Sequence, residues 1–181
     1  YFKASDELMD SFEETDLRKE RYIIRKPVRD DRGIEVWTPM AIGKLSVSIP
    51  EYTGIALNNY YKPVTASGVF GRSLRLSEAY LNYAEAKAMM FKEGTDGNGA
   101  NDAKEALDEL RSHRFATADF ETLEISDAEE LVQFIRDERR RELCFEDHRW
   151  YDLRRWGMKE IKHVWYTDEN TKSTYTLNVG D

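Results

Sequence analysis

Glu78 and Glu85 stand seven residues apart in a stretch of helical spacing, which puts both carboxylates on one face. Paired carboxylates are the equipment of glycoside hydrolysis, one giving a proton while the other attacks or activates water. The arginines around Arg139 and Arg140 supply a plainer role for them, as acceptors in helix-to-helix pairing. Asp96-Gly-Asn-Gly-Ala-Asn-Asp102 has the oxygen-rich character of a calcium loop. It places Ala100 and Leu107 where the EF-hand template needs its fifth and twelfth ligands, so it reads as a turn. His113, His148 and His163 are scattered and give no metal-ligand pair at helical spacing. Cys144 is the single cysteine, which rules out an intramolecular disulfide and a cysteine-based zinc site. The sequence contains no phosphate loop and no nucleophile elbow. No catalytic residue, metal or cofactor is expected.

The densest chemistry lies in Arg136-Asp-Glu-Arg-Arg-Arg-Glu-Leu-Cys-Phe-Glu-Asp-His-Arg-Trp-Tyr-Asp-Leu-Arg-Arg-Trp156, with seven arginines and six acids. Every arginine has an acid within four residues, which suits local ion pairs. Leu143, Phe145, Trp150, Leu153 and Trp156 are interleaved with the charges, a pattern for guanidinium groups packed over rings and partly buried. A nucleic-acid surface would be basic throughout. The whole chain carries a net charge of −8, from 35 acids against 27 bases, and this field opposes sequence-independent binding to nucleic acid or to an anionic membrane. With 40% hydrophobic and 12% aromatic residues in 181, the chain has the material for one folded domain. No apolar run approaches the roughly 18 residues of a membrane-spanning helix. The chain opens at Tyr1, without Met, and stops straight after a strand-like segment, as expected of a processed protein or a piece of a longer one.

These groups must be positioned by a chain that changes character halfway. Ser5 caps a short helix to Phe12, with Leu8, Met9 and Phe12 on one face. Arg21-Tyr-Ile-Ile-Arg-Lys26 reads as a strand stopped at Pro27. Asp30-Asp-Arg-Gly33 turns the chain, and Ile34-Glu-Val-Trp37 returns as a hairpin strand. From Trp37 to Gly71, Pro39, Pro50, Pro63 and four glycines interrupt any helical period, which predicts a surface loop with short extended pieces. Then Leu76, Ala79, Tyr80, Tyr83, Ala84, Ala88 and Phe91 recur at the spacing of one helical face, predicting a helix over 74–92 with these residues inward. A glycine-rich reversal leads into a second helix over 101–114, with Ala103, Ala106, Leu107 and Leu110 facing inward. Ser126-Asp-Ala-Glu129 fits a capping box for a third helix running to about Phe145, with Leu131, Phe134, Ile135 and Leu143 on its apolar edge. A shorter helix over 149–156 ends at Gly157. Residues 164–166 and 173–179 are extended around an Asp-Glu-Asn turn. No fixed-period repeat is present, although two helical hairpins have the size of helical-repeat units.

Glu138-Arg-Arg-Arg-Glu-Leu-Cys-Phe-Glu146, followed by His148-Arg-Trp-Tyr-Asp-Leu-Arg-Arg-Trp-Gly157, resembles the signature of the SusD/RagB family. Leu74-Arg-Leu-Ser-Glu-Ala-Tyr-Leu-Asn-Tyr-Ala-Glu-Ala86 resembles the family's other strong helix motif, and Ala106-Leu-Asp-Glu-Leu-Arg111 sits where the family has a similar helix. Ser5 to Arg18, with Asp16-Leu-Arg18, resembles the start of the family's C-terminal domain. Asp147 departs from the pattern, since the family has glycine there. A left-handed turn is expected at that position, which Asp tolerates better than most residues.

The resemblance implies a mainly α fold: a SusD-like, tetratricopeptide-repeat-related helical scaffold with long irregular loops and a few short strands. It implies one C-terminal domain portion over residues 1–181. A helix, hairpin and loop region would occupy 1–71, a helical core 72–163 and an extended tail 164–181. It further implies a non-catalytic lipoprotein of the Bacteroidetes outer membrane, lipid-anchored on the cell-surface face, that binds oligosaccharides or other nutrients for a SusC-like TonB-dependent transporter. The anchoring cysteine of the family is not Cys144, which reads as a small buried hydrophobe. The alternative is a helical scaffold that contacts the transporter without binding sugar. No ligand residue carries over by motif, so the candidates come from chemistry. Aromatic rings stack on the apolar C–H faces of sugars while amides hold hydroxyls. Trp37, Tyr52, Tyr60 and Tyr61, with Asn58 and Asn59, are the first group; Trp165 and Tyr166 are the second.

Overall fold

Ser5 and Asp16 each open a short helix by turning a side-chain oxygen onto an otherwise unpaired backbone N–H. In the computed structural model, which describes residues 4–25, 28–37, 40–42, 75–168 and 171–178, Ser5 Oγ accepts from Leu8 N at 3.2 Å and Asp16 Oδ1 from Arg18 N at 2.9 Å. The helices are α1 (Asp6–Ser11) and α2 (Leu17–Tyr22). Four short strands follow: β1 (Ile23–Arg25), β2 (Val28–Arg29), β3 (Glu35–Trp37) and β4 (Met40–Ile42). They make two separate two-stranded sheets. β2 pairs with β3 around the Asp30–Gly33 turn, and β1 pairs with β4, with Ile23 opposite Ile42. Asp30 Oδ1 holds the turn by accepting from Arg32 N and Ile34 N at 3.0 and 2.9 Å. β4 falls inside the stretch expected to be irregular from Trp37 onward. It exists because β1 offers it a backbone partner, which local sequence does not reveal.

The helical part is α3 (Leu76–Lys92), α4 (Gly99–Ser112), α5 (Ala128–Glu142) and α6 (His148–Arg155). α5 starts one residue later than the capping box implied: Asp127 is its N-cap, accepting from Glu130 N at 2.9 Å. α5 ends at Glu142, three residues early. The chain then turns through left-handed conformations at Phe145 (φ 66°) and Asp147 (φ 64°). The turn expected at Asp147 is present; that at Phe145 has no signal in the residue type. β5 (Glu160–Tyr166) and β6 (Lys172–Asn178) close the described chain as an antiparallel ladder, β5 four residues longer than expected and β6 of the expected length, one residue earlier.

The main core is made where α3, α4 and α5 meet. Leu81, Ala84 and Ala88 pack with Ala103, Ala106, Leu107 and Leu110, and with Leu131, Val132 and Ile135. A second cluster joins Ala4, Leu8, Phe12 and Ile23 to Cys144, which is buried as a small apolar residue would be. The hairpin of α3 and α4 depends on Gly99, since a Cβ there would overlap the Lys87 carbonyl oxygen and press on Phe91. Ala for Gly inside a helix ordinarily stabilises by about 0.5–1 kcal/mol. Here overlap with backbone outweighs that gain, and Gly99→Ala is expected to lower stability by about 1–2 kcal/mol in urea unfolding. An increase would mean that α4 shifts freely.

Candidate functional site

The β5–β6 ladder sorts its side chains by register. Ile161 stands opposite Leu177, His163 opposite Tyr175 and Trp165 opposite Ser173. Residues directly opposite share a face, and so do alternate residues along a strand. One face therefore carries Ile161, His163, Trp165, Ser173, Tyr175 and Leu177. The other carries Glu160, Lys162, Val164, Lys172, Thr174, Thr176 and Asn178. Trp165, Tyr175 and Leu177 are 39%, 62% and 53% exposed. Trp165 and Tyr175 are diagonal neighbours, within reach of one another for aromatic side chains. Two rings side by side, with an imidazole and a hydroxyl next to them, form a surface that can stack on apolar C–H faces and hydrogen-bond to hydroxyls.

A second concave surface lies between α3 and α4. Leu76, Ala79, Tyr80 and Tyr83 line a groove of about 560 Å³ with Asp102, Glu105 and Glu109 along it. The helix spacing had turned Leu76 and Tyr83 inward, but they are 74% and 50% exposed. The buried stripe of α3 is Ser77, Leu81, Ala84, Glu85 and Ala88, because that side meets α4 and α5. Met90 continues the outer line, one heptad beyond Tyr83 and 41% exposed.

Charged groups form the third feature. Arg18 is 2% exposed; its Nη1 donates to Glu138 at 2.6 Å and Glu142 at 3.0 Å, and its Nε and Nη2 hold Asp16. Glu138 also accepts from Arg141 at 2.8 Å, and Glu142 from Arg114 at 2.8 and 2.9 Å and from Arg75 at 2.9 Å. Burial pushes the Glu138 carboxyl up, but Arg18 and Arg141 overcome it and hold the group down at about 2. A second set joins α3 to α6. Arg155 donates to Glu85 at 2.5 and 2.7 Å, and the Trp156 indole N–H donates to Glu85 at 2.7 Å. Arg139 holds Asp152 at 2.8 and 2.9 Å and lies 3.8 Å from Glu78. Glu85 thus accepts from an arginine other than the ones expected, Arg155, while Glu78 stands at ion-pair distance from Arg139 without a hydrogen bond. The guanidinium groups of Arg136 and Arg155 sit 5.0 and 4.9 Å from the centre of the Trp156 ring, the packing read from the interleaved aromatics. Lys87 on α3 reaches over the following loop, its Nζ 2.9 Å from Asp96 in the loop and 2.8 Å from Asp102 on α4. A tethered ammonium thus occupies the place a cation would take. Among the described residues no group of acids, histidines or cysteine is arranged to hold a metal, and no helix is long and apolar enough to cross a membrane.

Of the aromatic candidates, three fall on strands of the described residues. Trp37 ends β3, opposite Val28. Tyr52, Asn58, Asn59, Tyr60 and Tyr61 lie outside the described residues. Trp165 is on the exposed ribbon face, and Tyr166 takes the next register position, opposite Lys172 and out of phase with it. Tyr175, His163 and Leu177 were missed. Ile161-Lys-His-Val-Trp165 does not alternate strictly, so only the register of β5 against β6 brings these residues to the face of Trp165.

Residues 51–180 match the SusD family, and the chain belongs to it. Among solved structures the chain is similar to a SusD-like carbohydrate binding protein from Bacteroides vulgatus ATCC 8482. The two are 23% identical with a TM-score of 0.56, over 98% of this chain and 33% of that one. It is also similar to a SusD-like protein from Bacteroides fragilis NCTC 9343, at 31% identity and a TM-score of 0.40, over 58% of this chain and 19% of that one. The chain spans about a third of the first structure's length and about a fifth of the second's. No curated protein matches. The first likeness fixes the fold class: mainly α and SusD-like, as the helix motifs implied.

Proposed function

We propose that the chain is the C-terminal portion of a non-catalytic glycan-binding protein. In this reading the protein sits lipid-anchored on the outer face of a Bacteroidetes outer membrane and passes oligosaccharide or another nutrient to a SusC-like TonB-dependent transporter. The observation that carries the reading is membership of the SusD family over residues 51–180, together with the carbohydrate-binding solved relative of the same fold. The exposed ring pair of Trp165 and Tyr175 supports a contribution from this portion. Arginine partners on Glu78 and Glu85 argue against a catalytic pair, since each acid is already held in an ion pair. The test is a panel of soluble oligosaccharides read by thermal shift and then calorimetry. Trp165→Ala and Tyr175→Ala are each expected to weaken binding about tenfold, the loss of one stacking ring, with melting temperature unchanged. The same series includes Ala at Trp37, Tyr52, Tyr60 and Tyr61. Silence across the panel from a folded chain overturns sugar binding by this portion.

A second reading, a scaffold that meets the transporter and binds no sugar, is favoured by the outward line of Leu76, Tyr83 and Met90 on α3. It predicts association with the transporter that survives all the ring substitutions and weakens with Tyr83→Glu.

A further inference from the structure

Where α1, the C-terminal end of α5 and the start of α6 meet, a recess of about 210 Å³ opens to solvent. It has room for on the order of seven water molecules, and so for one small ring rather than an extended chain. Leu8, Leu143 and Phe145 give it an apolar side; Arg140, His148 and Arg149 give it a basic one. The balance of charge around it is uneven. Arg139 and Asp152 also border the recess and neutralise one another: Arg139 is engaged by Asp152 and by Asn82 at 2.7 Å, and Asp152 is shared with Arg155 at 2.9 Å. Arg140 reaches Ser5 Oγ at 3.5 Å and the carboxylate of Glu7 at 3.2 Å, and Glu7 itself stands out in solvent. Arg149 makes no ion pair or hydrogen bond among the described residues; its guanidinium lies 5.8 Å from the centre of the Trp156 ring. Desolvation, and then the facing charge of Arg140, hold Arg149 below its ordinary value, against the pull of Asp152, Asp137 and Glu7. Two guanidinium groups thus share one rim without a carboxylate committed to the second. Arginine forks are matched to carboxylates, and the apolar side would meet the C–H face of a ring carrying one.

We propose that this recess binds a uronate unit of an acidic glycan, its carboxylate between Arg140 and Arg149 and its ring against Leu8, Leu143 and Phe145. The inference rests on the carbohydrate-binding reading and adds a chemical class to it. In a chain of net charge −8, an acidic ligand meets repulsion at long range, so selectivity for it must come from a local basic rim of this kind.

The experiment is calorimetry of the 181-residue chain with tri-galacturonate, with its fully methyl-esterified form, and with acetate, at low salt. Tri-galacturonate is expected to bind at least tenfold more tightly than the ester, and acetate far more weakly than either. Arg149→Gln and Arg140→Gln should each abolish the preference for the acid, while Arg149→Lys keeps part of it. Both sites are on the surface, and circular dichroism checks the fold of each variant. Equal affinity for acid and ester overturns the uronate site, and so does a preference that survives both Gln substitutions. Acetate binding as tightly as the trisaccharide also overturns it, leaving a simple anion site. If neutral sugars bind and depend on Trp165 while the acid gains nothing, only this inference falls. If no sugar of either kind binds, the carbohydrate reading falls with it.

Discussion

Arg18→Met is expected to cost the folded chain about 3–5 kcal/mol, because it strands Glu138 and Glu142 without their shared partner in a buried site. Arg18, Glu138 and Glu142 are 2%, 1% and 0% exposed, so water cannot take over the lost bonds. Arg114 and Arg75 still reach Glu142, and Arg141 still reaches Glu138, which keeps the loss below that of two orphaned charges. The exposed pair of Arg32 with Asp30 is the control, and Arg32→Ala should leave the urea midpoint in place. The acid limb of stability carries a second signature. Glu138 falls from an ordinary 4.5 to about 2 on folding. Its depressed pKa contributes on the order of 3 kcal/mol above pH 4.5, lost progressively as the pH falls from there through 2. In Arg18→Met only Arg141 opposes the effect of burial, so the Glu138 carboxyl rises and acid unfolding moves to higher pH. A variant with the urea and acid midpoints of the parent would show that Arg18 contributes nothing to the junction.

That junction marks the limit of what local sequence reveals. The segment from Arg136 to Trp156 announces ion pairs by its alternating charges, and the structure makes them. Arg141 with Glu138, and Arg155 with Asp152, are three residues apart on one helix. Arg18 reaches Glu138 across 120 positions, and nothing in the spacing around Asp16-Leu-Arg18 points to a partner so far along the chain. The same holds for Arg155 and Glu85, 70 positions apart. The helices other than α2 were legible because apolar period and caps are local; α2 was not, and it takes Arg21 and Tyr22 from the strand expected over 21–26. Nor was β4, because a three-residue strand is defined by the strand it pairs with. The candidate ribbon face was legible only in part. Trp165 stands out by residue type, but the ring beside it, Tyr175, follows only from the register of β5 against β6.

α3 shows how a correct period can leave the centre of the buried face misplaced. Its residues offer two stripes at nearly equal apolar content: Leu76, Tyr80, Tyr83 and Met90 on one side, and Leu81, Ala84 and Ala88 on the other. The sequence reading took Leu76, Tyr80 and Tyr83 from the first stripe together with Ala84 and Ala88 from the second, and left Leu81 out. Packing chose the second: Leu81, Ala84 and Ala88 are buried in one cluster with Ala103 and Ala106 of α4 and Leu131, Val132 and Ile135 of α5, where small side chains suit close helix contact. Leu81 is 0% exposed, and Leu81→Ala is expected to lower stability by about 3 kcal/mol, the lost transfer of its side chain plus the cavity left behind. Tyr83 is the larger residue, yet Tyr83→Ala is expected to change stability by no more than about 1 kcal/mol, since its ring is half in water and its nearest charged neighbour, Lys87, is held by Asp96 and Asp102. Urea unfolding of the two variants side by side tests the assignment. If Tyr83→Ala proves the more damaging, the outer stripe of α3 is part of the core, and the groove between α3 and α4 is closed in solution.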